Sequence, residues 1–426
     1  MIKIEEYKEP QHHTKSEKFL SPKRLYLPLS QHTGKPSSSM VKIGDTVAEA
    51  QVIAKEDGLI SARLHAPRAG KITNIDVCSH PVLKRTTCIA MECAGEAKTY
   101  SLSKNVDDLA KDEILGIIKS SGIVGMGGAA FPTHVKLNPP QSVDVLIING
   151  CECEPYLATD YRLMMENLKE IFLGIEIICR AINPKELIFA LEENKHEVAK
   201  HVNLFITTKK FRLPKTTCLV LPTAYPQGGE KQLIFAATQR KVPAGKLPFN
   251  IGCLVQNVAT CFAIYEAVYL NKPLIERLVS FCGDALVSPK NIWVKIGTNL
   301  AELFAEKILE FKDEPKKIIC GGPMTGMALD GLDYPILKGS GGFLFLHKDV
   351  FLGEEGPCIR CGNCVRECPV YLMPCLINLV SQNERWDEAK KYNAADCIEC
   401  GICSYVCPTN RRLLQSIKRA KLEICK

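Results

Sequence analysis

Eight cysteines share one repeated spacing: Cys358, Cys361, Cys364 and Cys368 followed by Pro369, then Cys397, Cys400, Cys403 and Cys407 followed by Pro408. Three thiolates at three-residue intervals can take three corners of a [4Fe–4S] cube, while the fourth cysteine of each run ligates the other cluster. The pattern assigns Cys358, Cys361, Cys364 and Cys407 to one centre, and Cys397, Cys400, Cys403 and Cys368 to its neighbour. Gly362 and Gly401 let the backbone turn tightly and aim N–H groups at sulfur, and each proline ends the loop's hydrogen bonding. Two structural zinc sites are the competing chemistry, because CxxC pairs also bind zinc. Zinc gives no reason for the whole run to recur. Crossed ligation keeps the two centres close, which suits the passage of single electrons between them. The other thirteen of the 21 cysteines read as small buried hydrophobes with inert thiols. Cys375 and Cys425 lie near the motifs but outside the spacing.

A second group of polar islands lies upstream. Gly125-Met126-Gly127-Gly128-Ala129-Ala130-Phe131-Pro132-Thr133-His134-Val135-Lys136 is a glycine-rich loop ahead of a helix, of the kind whose backbone N–H groups suit a phosphate or a flat cofactor. It matches neither GxGxxG nor the P-loop, and in isolation a structural turn accounts for it. The predicted strand Asp144 to Gly150 leads into Asn149-Gly150-Cys151-Glu152-Cys153-Glu154-Pro155-Tyr156. Paired acids directly after a strand's carboxyl end sit where open α/β sheets bind ligands, and Glu152 and Glu154 could accept from ribose hydroxyls or a nicotinamide amide. For either acid alone a solvated loop is the plainer reading. Tyr225 to Lys231 and Gln256 to Thr260 are further polar islands between apolar runs.

The elements that must position these residues follow from periodicity and punctuation. Asp107 or Asp108 can cap a helix that stops near Gly122, and Thr159 or Asp160 can cap a long one running to about Ala181. Strands are predicted at Leu187–Leu191, Cys218–Leu221 and Ile318–Cys320. Strands alternating with helices predict a largely parallel α/β domain over 105–275. Residues 25–100 read as short strands with turns at Gly44-Asp45 and Ala69-Gly70, similar to the barrel-sandwich hybrid of lipoyl and biotinyl carriers. The stretch matching the carrier tip, Asp57-Gly58-Leu59-Ile60, holds no lysine, so a docking or structural role is expected in place of carriage. Residues 1–24 are polar and expected at the periphery, 276–345 read as a smaller α+β unit, and 350–426 as short helices around the cysteine runs.

Composition narrows the class. A chain of 426 residues can form two to four cores. Its 46% hydrophobic and 24% charged content is that of a soluble globular protein. A net charge of +7 without a concentrated basic patch gives no expectation of a nucleic-acid partner. The odd cysteine count, with no signal-peptide pattern at the start, predicts a reducing compartment. The one long uncharged stretch, Leu247 to Tyr265, contains Pro248, Asn250, Gln256, Asn257 and Thr260. It reads as a loop running into a buried helix, and no membrane-spanning segment is expected.

Taken in order, GGAAFPTHVKL, NGCECEPYLATDYRLM, YPQGGEKQLI, QNVAT and GGPMTGM resemble the flavin- and NADH-binding fold of the respiratory complex I flavoprotein subunit. They are closer still to the C subunit of Rnf electron-transport complexes, and the resemblance covers nearly the whole chain. It implies a multidomain α/β protein: a barrel-sandwich hybrid, a Rossmann-like FMN/NADH-binding domain, a β-grasp (SLBB-type) domain and a two-cluster ferredoxin-like helical domain. It implies FMN, two [4Fe–4S] clusters and NAD(H) as substrate in an ion-translocating ferredoxin:NAD-type oxidoreductase. The same resemblance implies the membrane-embedded A, B, D, E and G type subunits as partners, ferredoxin served through the complex, and a peripheral place on the cytoplasmic face of the bacterial inner membrane.

Carried over by residue, Gly125, Gly127, Gly128 and Lys136 would hold the flavin, and Phe131 would face the nicotinamide side. Asn149, Glu152, Tyr225, Gly228, Glu230, Asn257 and Thr260 would complete the FMN pocket, with Glu154 helping to bind NADH. No catalytic acid or base is implied, and His134 reads as a loop residue. Ala130 stands where the family often has glycine, and Cys151 where the complex I flavoprotein has an acid. The competing readings are a cobalamin-reductase-type flavoprotein, in which the barrel follows the cluster domain, and a flavin-free iron–sulfur wire or scaffold.

Overall fold

Short runs such as Val-Leu-Ile-Ile and Leu-Ile-Phe-Ala-Leu are apolar on both faces, the pattern of strands buried beneath helices on each side. The computed structural model describes residues 1–95, 97–102, 106–347 and 353–425, so the expected boundaries at 105, 350 and 426 lie outside the described residues. In it, these runs form a four-stranded, all-parallel sheet in the spatial order Lys215–Leu221, Glu186–Glu192, Val145–Asn149, Cys253–Asn257. In chain order this is 3-2-1-4, so the direction of winding reverses between Val145–Asn149 and Cys253–Asn257. That reversal opens a crevice at the strands' carboxyl ends.

The long helix, Thr159–Ile182, packs beside Val258–Leu270. Gly174 permits the approach, since a Cβ there would lie 1.9 Å from the Cys261 carbonyl oxygen. The uncharged stretch after Leu247 holds more than a loop and a helix. It is a short 3-10 turn, Pro248–Ile251, then the strand Cys253–Asn257, then the helix. Five residues buried in a parallel sheet leave no alternation to read.

Two smaller sheets make the barrel. One is antiparallel, ordered Arg24–Pro28, Lys84–Cys93, Gly70–His80, Thr46–Val47, and the other pairs Ser38–Ser39, Val52–Lys55 and Leu64–His65. Its core residues, among them Leu25, Ile53, Leu64 and Ile72, belong to one buried cluster with Ile118, Ile123 and Ile148 of the α/β unit. A mixed six-stranded sheet forms the third unit: Glu17–Phe19, Lys290–Lys295, Glu276–Cys282, Gly342–Leu346, Lys317–Cys320, Met327–Leu329, with the short helix Leu300–Ala305. Short helices, chiefly Pro374–Gln382 and Leu413–Ile424, wrap the cysteine runs around Leu372, Ile377, Leu413 and Ile417. No helix among the described residues is long and apolar enough to cross a membrane.

The N-terminal segment is largely exposed, in keeping with its polar composition, yet parts of it are built into the fold. Glu17–Phe19 is an edge strand of the six-stranded sheet, Ile2 bridges to Tyr225, and the Tyr156 N–H donates to the Glu6 carbonyl at 2.7 Å. Tyr7 stacks on Tyr156 at 4.8 Å, and Lys8 and Gln11 are buried. Lys8 donates to the Glu152 carbonyl and Ser16 to the Glu166 carboxylate, pairings that hydropathy does not register, while Lys3, Lys15 and Lys18 stay exposed.

Candidate functional site

The crevice at the strand reversal widens into a cavity of about 690 Å³, within the range of roughly 300–1,000 Å³ typical of cofactor and small-molecule sites. Its inner wall carries Gly127, Gly128, Asn149, Glu152, Glu154, Gly228 and Asn257 from the residues expected in the site. The glycine loop is closed at its base by the Gly125 N–H donating to the Phe131 carbonyl at 2.9 Å and by a Val124–Pro132 bridge. Above that clasp the backbone of 127 to 130 faces the cavity. A Cβ on Gly128 would meet nothing within 4 Å, whereas one on Gly127 would lie 2.7–2.9 Å from the Asn257 side chain. The loop therefore forms a cradle that side chains would fill, which fits a flat cofactor lying on main chain.

Asn149 and Asn257 end the two strands that flank the reversal. Asn149 donates to the Gly228 carbonyl at 3.0 Å and accepts from the Cys151 N–H at 3.0 Å. Asn257 caps the following helix by accepting from Ala259 N–H at 2.8 Å, and donates to Asp160 at 2.6 Å. Neither Thr159 nor Asp160 caps the long helix through its side chain. Glu152 does so from across the loop, accepting from the N–H groups of Asp160 at 3.0 Å and Tyr161 at 3.3 Å. A carboxylate at a helix N-terminus satisfies both the orphan donors and the macrodipole.

Glu154 is likewise engaged. One oxygen accepts from the Met324 N–H at 3.2 Å, and the other from the Thr325 N–H at 2.9 Å and from the Thr325 hydroxyl. Both acids of the motif are therefore held inside the protein in this structure. Cys151 is buried, and burial pushes its thiol well above the ordinary range, so it supplies no charge where the complex I flavoprotein has an acid.

The remaining expected residues lie off the lining. Lys136 pairs with Glu230 at 2.9 Å, Thr260 accepts from the Met126 N–H at 3.0 Å, and Gly125 and Phe131 form the clasp. The Tyr225 hydroxyl donates to the Cys400 carbonyl at 2.8 Å. Conversely, the cavity is lined by residues that motif reading did not single out: Asp160, Arg277, Cys320, Ser340 and the barrel segments at Ser30–Gly34 and His80–Leu83. Asp160 lay within a quoted motif, but nothing local marks Arg277 or the barrel residues, which reach the site only through packing. Asp160 is half-buried at the cavity wall. Burial and then the charge of Glu152 push its carboxyl up to about 7. The buried Arg277 donates to the Lys338 carbonyl and, at 3.3 Å, to that of Leu278.

The two cysteine runs fold as copies of one another. Arg360 and Glu399 have φ of 57° and 58°, Gly362 and Gly401 have φ of 77° and 78°, and each glycine opens a one-turn helix, Asn363–Arg366 or Ile402–Tyr405. Burial raises the thiols of Cys397, Cys400 and Cys403, and the charge of Cys368 adds to the rise in all three. The Gly356 N–H donates to the Thr409 carbonyl at 2.9 Å, bringing the segment before Cys358 beside Cys407. Cys375 lies against Cys364.

Among the described residues no three His, Cys, Asp or Glu side chains converge on a point that one metal ion could fill. N–H groups of Leu372 and Glu399 donate to the sulfurs of Cys368 and Cys397 at 3.3 and 3.4 Å.

A nucleotide-type crevice joined through a tyrosine to a repeated pair of cysteine runs defines an iron–sulfur flavoprotein, built for electron transfer. Comparison with known proteins gives the same result in detail. Residues 2–96 match the RnfC barrel sandwich hybrid domain, 118–266 the Nuo51 FMN-binding domain and 357–411 the 4Fe-4S dicluster domain. The chain is 44% identical over 409 residues to the C subunit of the proton-translocating ferredoxin:NAD(+) oxidoreductase complex of Clostridium ljungdahlii, covering 94% of this chain and 88% of that one. It is 37% identical over 412 residues to the C subunit of the Na(+)-translocating complex of Acetobacterium woodii, covering 95% and 91%. The NAD+-reducing [NiFe]-hydrogenase in its H2-reduced state shares the fold at a TM-score of 0.51 and 16% identity, over 77% of this chain and 68% of that one. The chain belongs to the RnfC family, the C subunits of ion-translocating oxidoreductase complexes. Its FMN-binding and dicluster domains make it an electron-transfer component that works with other Rnf subunits.

Proposed function

We propose that this chain is the nucleotide-side electron port of its complex, exchanging electrons between NAD(H) in the cavity and the clusters, and thence with membrane-embedded subunits and ferredoxin on the cytoplasmic face. When bound, FMN converts a two-electron hydride exchange into single-electron steps. The chain's own residues supply position. Gly127, Gly128, Asn149, Gly228 and Asn257 form the flavin wall, Glu152 and Asp160 fix the helix start beneath it, and Gly125, Phe131, Thr260 and the Lys136–Glu230 pair hold the loops. Glu154 clasps the loop Gly322–Thr325 and becomes available to a nucleotide only when that clasp opens. In this division of labour the barrel (25–100), flavin unit (105–275), β-grasp unit (276–345) and cluster unit (350–426) act as one path.

One observation carries the reading: the Tyr225 hydroxyl on the Cys400 carbonyl ties the later cysteine run to the flavin unit. Cys358 and Cys361 of the earlier run are exposed. Electrons would pass from cavity to the Cys397 run, to the Cys358 run, to a partner. Anaerobic protein reconstituted with iron, sulfide and FMN should hold about eight irons, and its visible and EPR spectra should change on adding NADH. Two zinc ions without acid-labile sulfide would end this reading. A chain that binds iron but no FMN would favour the flavin-free wire. The barrel ahead of the flavin unit speaks against the cobalamin-reductase reading.

A further inference from the structure

The turn between the barrel's two longest strands, Gly70–His80 and Lys84–Cys93, reaches the cavity. His80, Pro81, Val82 and Leu83 all belong to its lining. Val82 and Leu83 are apolar yet 63% and 51% exposed, so they stand at the open rim. The turn is held firmly. His80 is buried, and its Nδ1 accepts from the N–H groups of both Val82, at 3.1 Å, and Leu83, at 3.0 Å. The proton must then sit on Nε2, which donates to the Ser30 carbonyl at 2.9 Å. Burial keeps the ring neutral by lowering its pKa, as the two accepted bonds require.

A second barrel segment braces the glycine loop. The Thr33 N–H donates to the Ala130 carbonyl at 3.3 Å and its hydroxyl to that of Ala129. Behind it stands the lysine-free tip: Lys35 N–H donates to the Ile60 carbonyl at 3.0 Å, Lys35 pairs with Asp57 at 2.9 Å, and a Cβ on Gly34 would lie 2.2 Å from the Ile60 oxygen.

We propose that the barrel is the outer wall of the dinucleotide site, with Val82 and Leu83 as affinity-determining residues that a planar base of the dinucleotide lies against, and His80 as the positioning residue that aims them. The proposal rests on the reading that the cavity takes FMN and NAD(H). The inner wall offers main-chain N–H groups and two asparagines suited to the flavin. Of the turn, the residues that line the cavity, Pro81, Val82 and Leu83, are uncharged, which suits a neutral ring, while the exposed Lys84 and Arg85 follow outside the lining.

The test uses the whole chain loaded with FMN and clusters, and NAD+ as probe in calorimetric titration. Val82→Ser with Leu83→Ser alters only exposed side chains. It should leave flavin and iron content unchanged and weaken NAD+ binding about tenfold. His80→Ala should weaken NAD+ similarly, and His80→Asn, which restores an acceptor for the turn's N–H groups, should recover most of it. Ile43→Ser, on the exposed barrel surface away from the lining, should change nothing. Wild-type NAD+ affinity in the double variant overturns the proposal. Loss of flavin together with NAD+ also overturns it, because the turn would then support the flavin loop alone. A wild-type chain that holds FMN yet binds no NAD+ defeats the underlying functional reading as well.

Discussion

Asp160 is half-buried at the cavity wall and Lys338 is fully buried, and they respond to pH in opposite senses. The Asp160 carboxyl, at about 7 when folded, lies above its unfolded value of roughly 3.9. Between those values the folded chain keeps a proton that the unfolded chain releases, so stability falls as pH rises through that window. Urea unfolding at several pH values should show Asp160→Asn removing that slope. Lys338 donates to the carbonyls of Arg63 at 2.6 Å and Gly122 at 2.7 Å, and burial lowers it to about 7. There the unfolded chain holds the extra proton, so stability rises between about pH 7 and the ordinary lysine value near 10.4. Ala130 adopts φ of 51°, which costs a non-glycine residue roughly 1–2 kcal/mol. Ala130→Gly should stabilise the chain by about 0.5–1 kcal/mol after its own entropic loss, read from urea midpoints. This left-handed backbone favours glycine, a constraint invisible in the motif itself.

At the scale of elements, the glycine loop and the cysteine loops each make a sharp prediction. Gly128→Ala adds a methyl in open cavity and should leave folding intact while weakening FMN retention about tenfold. Gly127→Ala should do more damage, because Asn257 must move and give up its bonds to Asp160 and Ala259. Flavin fluorescence after gel filtration distinguishes the two. For the clusters, crossed ligation predicts that Cys368→Ser with Cys397→Ser strikes one centre and leaves about four irons. Cys368→Ser with Cys358→Ser strikes both. Iron analysis after reconstitution decides between crossed and uncrossed pairing.

Across the whole molecule, a buried chain of charges ties three units together. Lys272 pairs with Glu266 and Glu276, and Lys295 with Glu276 at 2.8 Å and with Glu49 of the barrel at 3.3 Å. Breaking a buried pair strands its partner charge, at roughly 3–5 kcal/mol. Lys295→Met should therefore lower stability by about that amount in denaturant unfolding and loosen the barrel from the sheet. Since the barrel shares its hydrophobic core with the flavin unit, the two should unfold in one transition.

The sequence alone determined the chemistry. Cysteine spacing is a local property, read within each short run, and it named the candidate cluster ligands. The apolar runs of Val145–Asn149 and Glu186–Glu192 named the sheet, because burial on both faces leaves a compositional trace. Tertiary structure decided which polar groups face the cavity. Glu152 and Glu154 looked free in the motif and are bound at a helix start and a neighbouring loop. The N-terminal segment looked solvated and, though mostly exposed, buries Lys8 and Gln11 and adds an edge strand. Arg277 and the His80 turn come from units distant in sequence. Hydrogen-bond partners of buried polar groups depend on what folding brings within about 3 Å, and no local pattern encodes that distance.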